Sequence, residues 1–445
     1  MREIQYAEQA GQLDTTAGCL LGLAEQEKNL TLLFRVRYSM RIHCSSEEQG
    51  RSSAIWVFPE KKVKRSKSLK IRGNGLETEV VVVHAERAPM EGVADPGPHQ
   101  IYKNPQVSVE KRTLQKLDSD EIRVQMLYAG ICGTDVHLAE RIPETGYIRS
   151  SAPAEIPPEG RIIGHEGVGR ILETGANVRH LHAGAIVTFE SIIVCHYCDV
   201  CRKGHFNQCR NAKLLGLEKD GIFGITVDVA AMLAHDVTDL VKNDQDLQSA
   251  ACVEPAGVAY VACQNTHIKG GDSVVIFGAG PIGLFAAIFS KLIFGASSVH
   301  IVEPVPFRRE FARKWCDYLY TPEEFFAAPP MGVDVVIEAS GFLDNVNKVF
   351  RQINANGRIA FLARSGMPLA LDAMDHMITN AIQLIGSRGH LCGAFTDILR
   401  LYREGKVPLH EVVTTVLDGP AELADFMQSS DKIFSENCKV LVRLG

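Results

Sequence analysis

The sequence predicts an α/β protein in two parts, a β-rich domain followed by a doubly wound parallel sheet. Three observations carry that expectation. Short apolar runs punctuated by Gly and Pro occupy the stretch from residue 78 to about 254, as strands and turns of a β-rich domain do. From Asp272 onwards, apolar strands alternate with helical stretches, which implies parallel strands joined by right-handed crossovers. Four cysteines fall within fifteen residues of the first part, at Cys195, Cys198, Cys201 and Cys209.

The bulk properties are ordinary for a globular chain. At 445 residues there is length for two or three domains and a sizeable core. Apolar content of 46% and charged content of 22% fit that class. A formal charge of -6 argues against a nucleic-acid-binding surface, which needs a basic excess. No apolar run reaches the roughly 18 residues of a membrane span. The apolar segment Gly18 to Ala24 is too short for a signal-peptide core and is preceded by acidic residues. Twelve cysteines, four of them tightly spaced, therefore favour metal binding in a reducing, cytoplasmic setting over disulfides.

Residues 1–77 differ from the rest and are expected to form a poorly ordered N-terminal extension. Their basic run, Lys61, Lys62, Lys64, Arg65, Lys67, Lys70 and Arg72, reads as a solvated stretch; a tail for an anionic partner is the competing reading. Residues 78–254 begin with strands at Val80–Val83, Val107–Val109 and Ile122–Met126. Then comes Cys132-Gly133-Thr134-Asp135-Val136-His137, which gathers a thiol, a hydroxyl, a carboxylate and an imidazole on a turn. A lone cysteine cannot hold zinc, so the motif demands partners. Gly164-His165-Glu166-Gly167 offers them, because glycines on both sides permit a distortion that lets His165 and Glu166 converge. Glu254, followed by Pro255 at the start of an apolar helix, is a candidate further ligand, and Cys252 a weaker one. Cys195, Cys198, Cys201 and Cys209, in a lobe of about residues 190–215, can wrap a second zinc with four thiolates and leave no open position.

Residues 255–388 carry the second signature. The apolar strand Ser273–Phe277 leads into Gly278-Ala279-Gly280-Pro281-Ile282-Gly283, which opens an apolar helix; a strand then ends at Glu303. The glycines allow a tight turn and close approach to a pyrophosphate at the helix N-terminus. Glu303 suits the adenosine ribose hydroxyls and repels a 2′-phosphate, which favours NAD over NADP. Arg308 is expected to flank the same ribose, while Arg309 keeps NADP open. Residues 389–445, with a helix at Phe395–Arg403 and a strand at Lys439–Val442, are expected to return to the first domain.

Taken together, these motifs resemble the zinc-dependent medium-chain dehydrogenase/reductase family, which includes alcohol, sorbitol and threonine dehydrogenases. The resemblance covers about residues 78–445 and rests on Gly130–Asp135, Gly164–Glu166, the four-cysteine lobe, Glu254-Pro255 and Gly278–Gly283. It implies a GroES-like catalytic domain and a Rossmann NAD-binding domain, with two zinc ions per chain, one catalytic and one structural. It further implies that Cys132 and His165 bind the catalytic zinc, and that Glu166 and Glu254 share or alternate one position. Asp135 then orients His165, Thr134 bonds the substrate hydroxyl, and His137 ends a proton relay. The implied reaction moves hydride between NAD and a secondary alcohol or ketone of a polyol, sugar, cyclitol or amino alcohol. A homodimer or homotetramer is implied as well. The chain departs from the family in a longer segment between Cys132 and His165, in Gly221–Thr226 and at Gly184-Ala185; Arg149 in the first of these reads as a solvated loop arginine, with a phosphate or carboxylate contact as the competing reading. Two other readings are a non-catalytic redox sensor that binds zinc and dinucleotide, and a zinc-independent quinone or enoyl reductase. The intact ligand set opposes both.

Overall fold

A computed structural model describes residues 76–371 and 373–445. The N-terminal basic run lies outside the described residues.

Strand β1 (Glu77–Arg87) is built on Val80–Val83, all fully buried, and pairs antiparallel with β2 (Tyr102–Thr113), Val81 opposite Val109 and Val83 opposite Val107. Both strands outrun their valine-rich centres, because the flanking charged residues alternate outwards and extend the ladder. Strand β3 (Glu121–Gly130) leads into helix α1 (Gly133–Ala139). Next come β4 (Arg161–Ile162), which pairs with β1, and β5 (Glu166–Thr174), antiparallel to β3 with Glu166 opposite Gly130. β6 (Ile186–Phe189) extends that sheet from β5, and β9 (Thr226–Ala230) and β10 (Ala234–Asp236) add to it. Between them, β7 (Ile192–Ile193) and β8 (Lys213–Leu214) form a small ribbon at the base of the cysteine lobe.

The apolar stretch around Cys252 forms two helices, α2 (Asp244–Ala251) and α3 (Val253–Asn265). Pro255 has no N–H to give the Ala251 carbonyl, so the turn breaks at Cys252. The second sheet then accumulates strand by strand: β11 (Ser273–Phe277), α4 (Pro281–Leu292), β12 (Ser298–Val302), α5 (Pro306–Ala312), β13 (Tyr318–Tyr320), α6 (Pro322–Ala327), β14 (Val333–Glu338), α7 (Asp344–Val349), β15 (Ile353–Phe361), α8 (Met374–Asn380) and β16 (Gln383–Gly386). All six strands are parallel, in the order β13-β12-β11-β14-β15-β16. The order reverses between β11 and β14, and the crevice at the carboxyl ends of these strands is where such sheets hold ligands.

Helix α9 (Ala394–Arg403) stays with this layer, burying Ala394, Phe395 and Ile398 in the cluster that contains α3 and α4 residues. The chain rejoins the first sheet with β17 (Val413–Asp418), α10 (Gly419–Met427), α11 (Ser430–Glu436) and β18 (Lys439–Arg443). β18 runs antiparallel to β3, with Leu441 opposite Gly130. Gly130 thus has β5 and Glu166 on one side and β18 on the other, which brings three distant segments together beside Cys132.

Candidate metal centre and dinucleotide crevice

Cys132 caps α1. Its sulfur accepts from Thr134 N at 3.5 Å, and Asp135 Oδ2 accepts from Cys132 N at 3.0 Å. This reciprocal cap fixes the thiol and turns Asp135 inward, where it is fully buried. The other oxygen of Asp135 accepts from Gly164 N at 3.2 Å and lies 3.3 Å from His165 Nδ1, at an angle outside hydrogen-bond alignment. That contact leaves Nε2 as the ring nitrogen open to a metal. Burial works against a charge on His165, yet Asp135 and Cys132 outweigh it and hold the imidazole well above its ordinary pKa.

Gly164 makes the convergence of His165 and Glu166 possible. Its φ is +89°, and a Cβ there would lie 2.1 Å from the Phe223 ring, so only glycine fits. Phe223 N and Ile222 N in turn donate to Ile163 O and Gly164 O, so the segment that departs from the family pattern braces this turn. The donor atoms of Cys132, His165 and Glu166 all lie within 4.8 Å of one another. Thiolate, imidazole and carboxylate at that spacing fit zinc, whose ligand atoms lie about 2.0–2.3 Å from the metal.

Glu254 stands outside this close group. Its Oε1 accepts from Ser191 Oγ at 2.8 Å and lies 3.2 Å from His390 Nδ1. His390 Nε2 accepts from Ser191 N at 3.0 Å, so the proton of a neutral ring sits on Nδ1 and faces Glu254. Burial raises the Glu254 carboxyl, but His390, His165 and Ser191 prevail and draw it down to about 2. Cys252 is fully buried, its thiol pushed up to about 12 by desolvation, and it behaves as a core residue.

Glu166 has a partner that the sequence did not signal. Lys439, on β18 and 1% exposed, donates to Glu166 Oε2 and to Ile131 O at 2.9 Å. Burial opposes the charge on Lys439, yet the Glu166 carboxylate more than compensates and raises its pKa. The only local hint was a lysine opening an otherwise apolar strand; for His390, between Gly389 and Leu391, there was none.

Thr134 and His137 follow on α1, both partly exposed. Burial lowers the His137 pKa, with Glu140 raising it and Arg149 lowering it. Arg149 itself pairs with Glu140 at 2.9 Å, which accounts for its charge without a ligand.

In the lobe, the sulfurs of Cys195, Cys198, Cys201 and Cys209 also lie within 4.8 Å of one another. Cys195 N donates to Cys209 Sγ and Cys198 N to Cys195 Sγ, both at 3.4 Å, while Asn211 Nδ2 donates to Cys195 Sγ at 3.5 Å. Desolvation raises the Cys195 thiol, but these bonds bring it down to about 6; the more buried Cys201 is pushed up to about 12. Donors aimed at sulfur and four converging thiols fit a closed zinc site.

At the crevice, Gly278 has φ +95°, and a Cβ on Gly283 would lie 1.9 Å from Gly278 O, so the helix can approach the turn only with glycine there. Pro281 and Ile282 open α4. Both oxygens of Glu303 are engaged, Oε2 by Ala279 N at 2.6 Å and Oε1 by Val305 N at 2.8 Å, which ties the acid to the turn. Arg308 lies beside Gly280 and donates to Asn437 O at 2.7 Å. Arg309 donates to Glu303 O and Pro304 O, both at 3.0 Å, so its guanidinium is committed to backbone.

The chain has clear relatives. Residues 118–242 match the alcohol dehydrogenase GroES-like domain, and residues 281–404 match the zinc-binding dehydrogenase family. An L-threonine 3-dehydrogenase of Pyrococcus horikoshii is 32% identical over 305 residues, covering 66% of this chain and 83% of the relative. A scyllo-inosose 3-dehydrogenase of Thermotoga maritima is 31% identical over 332 residues, covering 69% and 82%. A solved Thermotoga maritima structure described as a candidate alcohol dehydrogenase superposes with a TM-score of 0.74 at 26% identity, covering 82% of this chain and 100% of that one. The protein is an oxidoreductase acting on CH–OH groups of small molecules, with zinc and a nicotinamide dinucleotide as cofactors. It belongs to the zinc-dependent medium-chain dehydrogenase/reductase family. Among the described residues no helix is long and apolar enough to cross a membrane.

Proposed function

We propose that the protein oxidises a secondary alcohol of a polyol, sugar, cyclitol or amino alcohol, passing the hydride to NAD. The observation that carries this reading is the gathering of Cys132, His165 and Glu166 donor atoms within 4.8 Å. The names of the two relatives, which concern an amino alcohol and a cyclitol ketone, support the substrate class. When bound, zinc supplies Lewis acidity to the substrate hydroxyl and the nicotinamide accepts the hydride. In this reading Cys132 and His165 hold the metal, and Glu166 and Glu254 alternate at a third protein position. Asp135 fixes the His165 ring, and His390 with Ser191 holds Glu254 ionised. Thr134 accepts a hydrogen bond from the substrate hydroxyl and, as it takes that proton, gives up its own along a relay that ends at His137, kept neutral by burial and able to release it to solvent. Gly278, Gly280, Pro281, Ile282 and Gly283 cradle the pyrophosphate, with Arg308 alongside. Glu303 and the engaged Arg309 favour NAD over NADP. Cys195, Cys198, Cys201 and Cys209 bind the structural zinc.

The assembly expected by resemblance is a homodimer or homotetramer, which light scattering on eluting protein would distinguish from a monomer. The tight clustering of Cys195, Cys198, Cys201 and Cys209 as metal ligands supports a reducing, cytoplasmic setting. The decisive experiment is an NAD-coupled screen of polyols, cyclitols, sugars and amino alcohols on enzyme carrying metal in both clusters. Reduction of NAD by at least one group is expected. Binding of NAD with no turnover across the panel overturns the reading and favours a non-catalytic redox sensor.

A further inference from the structure

Arg364 and Arg388 are used neither by the fold nor by the proposed chemistry. Arg364 follows β15 by three residues and Arg388 follows β16 by two. Phe361 and Gly386, which end those strands, are register partners, and Ser387 N donates to Phe361 O at 3.0 Å just beyond them. Both arginines therefore leave the same carboxyl edge of the parallel sheet, one strand apart. Among the described residues neither guanidinium has a hydrogen bond or a carboxylate partner. Desolvation and the neighbouring Arg388 charge lower the pKa of Arg364, although the residue as a whole is exposed. Two like charges held together without an acid cost free energy that an anion between them would recover.

Neighbouring residues connect this pair to both sides of the candidate metal centre. Two residues beyond Arg364, Gly366 abuts Ser151; a Cβ on it would lie 3.8 Å from the Ser151 Cβ. The Ser151 loop is held on α1 by Ser150 N donating to His137 O at 3.0 Å. Two residues beyond Arg388, His390 meets Glu254 at 3.2 Å. The pair is thus bracketed by the α1 side and the Glu254 side of the candidate metal centre. The pyrophosphate turn lies on β11, two and three strands away, or about 10–15 Å at the usual strand spacing. That separation of the strand ends favours an anion of the substrate over the dinucleotide pyrophosphate, and saturation with NAD in the test distinguishes the two.

We propose that Arg364 and Arg388 form an anion subsite that binds a carboxylate or phosphate carried by the alcohol substrate. The inference rests on the dehydrogenase reading for its substrate but not for its anion. It narrows the class to hydroxy acids, sugar acids, hydroxy amino acids and sugar phosphates, with neutral polyols the poorer substrates.

The test uses the zinc-loaded full chain saturated with NAD. Calorimetric titration with inorganic phosphate and with acetate measures anion binding directly, and the tighter probe identifies the preferred group. Arg364→Gln and Arg388→Gln are each expected to weaken binding roughly ten- to hundredfold, the worth of a charge-assisted hydrogen bond. NAD affinity and melting temperature serve as controls for folding. In turnover assays the KM for D-gluconate or sorbitol 6-phosphate, relative to that for sorbitol, should rise by the same factor. Absence of binding in the wild type, or binding unaltered in both variants, overturns the subsite. Anion binding that depends on the arginines, with no alcohol oxidised at all, upholds the subsite and overturns the dehydrogenase reading instead.

Discussion

The two donor clusters of this molecule differ in how they are built. The cysteine lobe draws all its sulfurs from Cys195 to Cys209 and surrounds them with backbone and amide N–H groups. The cleft cluster mixes sulfur, nitrogen and oxygen donors and backs them with buried polar side chains: Asp135 behind His165, Lys439 behind Glu166, His390 behind Glu254. Four thiolates leave a metal no vacancy, so the lobe can only brace the fold. Three mixed donors, with a fourth carboxylate held back by its own partners, leave room for a substrate.

Breaking that contrast begins with Cys132→Ser. Turnover should fall at least about a thousandfold, since zinc's charge stabilisation amounts to several kcal/mol, while circular dichroism and melting stay near wild type. Undiminished turnover would remove the cleft from catalysis. Cys209→Ser should do the reverse. Metal analysis should show one cluster emptied, stability should drop by several kcal/mol, and activity per folded molecule should change only a few-fold. A selective loss of kcat without loss of stability would mean that the lobe takes part in chemistry.

Lys439→Met probes what holds the cleft carboxylate. Leaving Glu166 buried and unpaired should cost about 3–5 kcal/mol in denaturant unfolding, with Glu166→Gln in the same chain recovering most of it. An unchanged midpoint would make the ion pair dispensable. The smallest effect concerns pH. Burial lowers the folded His137 pKa below 6.5, so the ring is neutral at pH 7 and remains so on mild acidification. Its stabilising neutrality is lost only as pH falls through 6.5 towards the folded value. The acid limb of kcat/KM assigned to His137 should therefore lie below pH 6.5 and vanish in His137→Gln; a limb above 6.5 would contradict the role.

How much of this could be read in advance follows from sequence distance. The Gly278–Gly283 turn and the lobe are local patterns, and local geometry forces the residues that form them. Gly164 was legible as a permissive residue, though not the Phe223 ring that makes it necessary. The start of α3 was legible from Pro255, which suits a first helical turn, whereas the helix before it, α2, was not. The roles of Lys439 and His390 could not be read, because a buried lysine or histidine reveals its role only through the partner the fold delivers to it. Arg149 illustrates the converse: an arginine that suggested a ligand proves to be answered by Glu140, nine residues before it.

The Glu166–Lys439 contact spans 273 residues, whereas Cys195 and Cys209 are 14 apart. Closing the longer loop costs about 2.6 kcal/mol more in chain entropy, because the cost grows as (3/2)RT ln n. The lobe can therefore close while most of the polypeptide is still loose. The cleft must wait until β18 docks against β3. The brace needs only local chain closure, whereas the Glu166–Lys439 pair of the cleft needs the C-terminal strand in place.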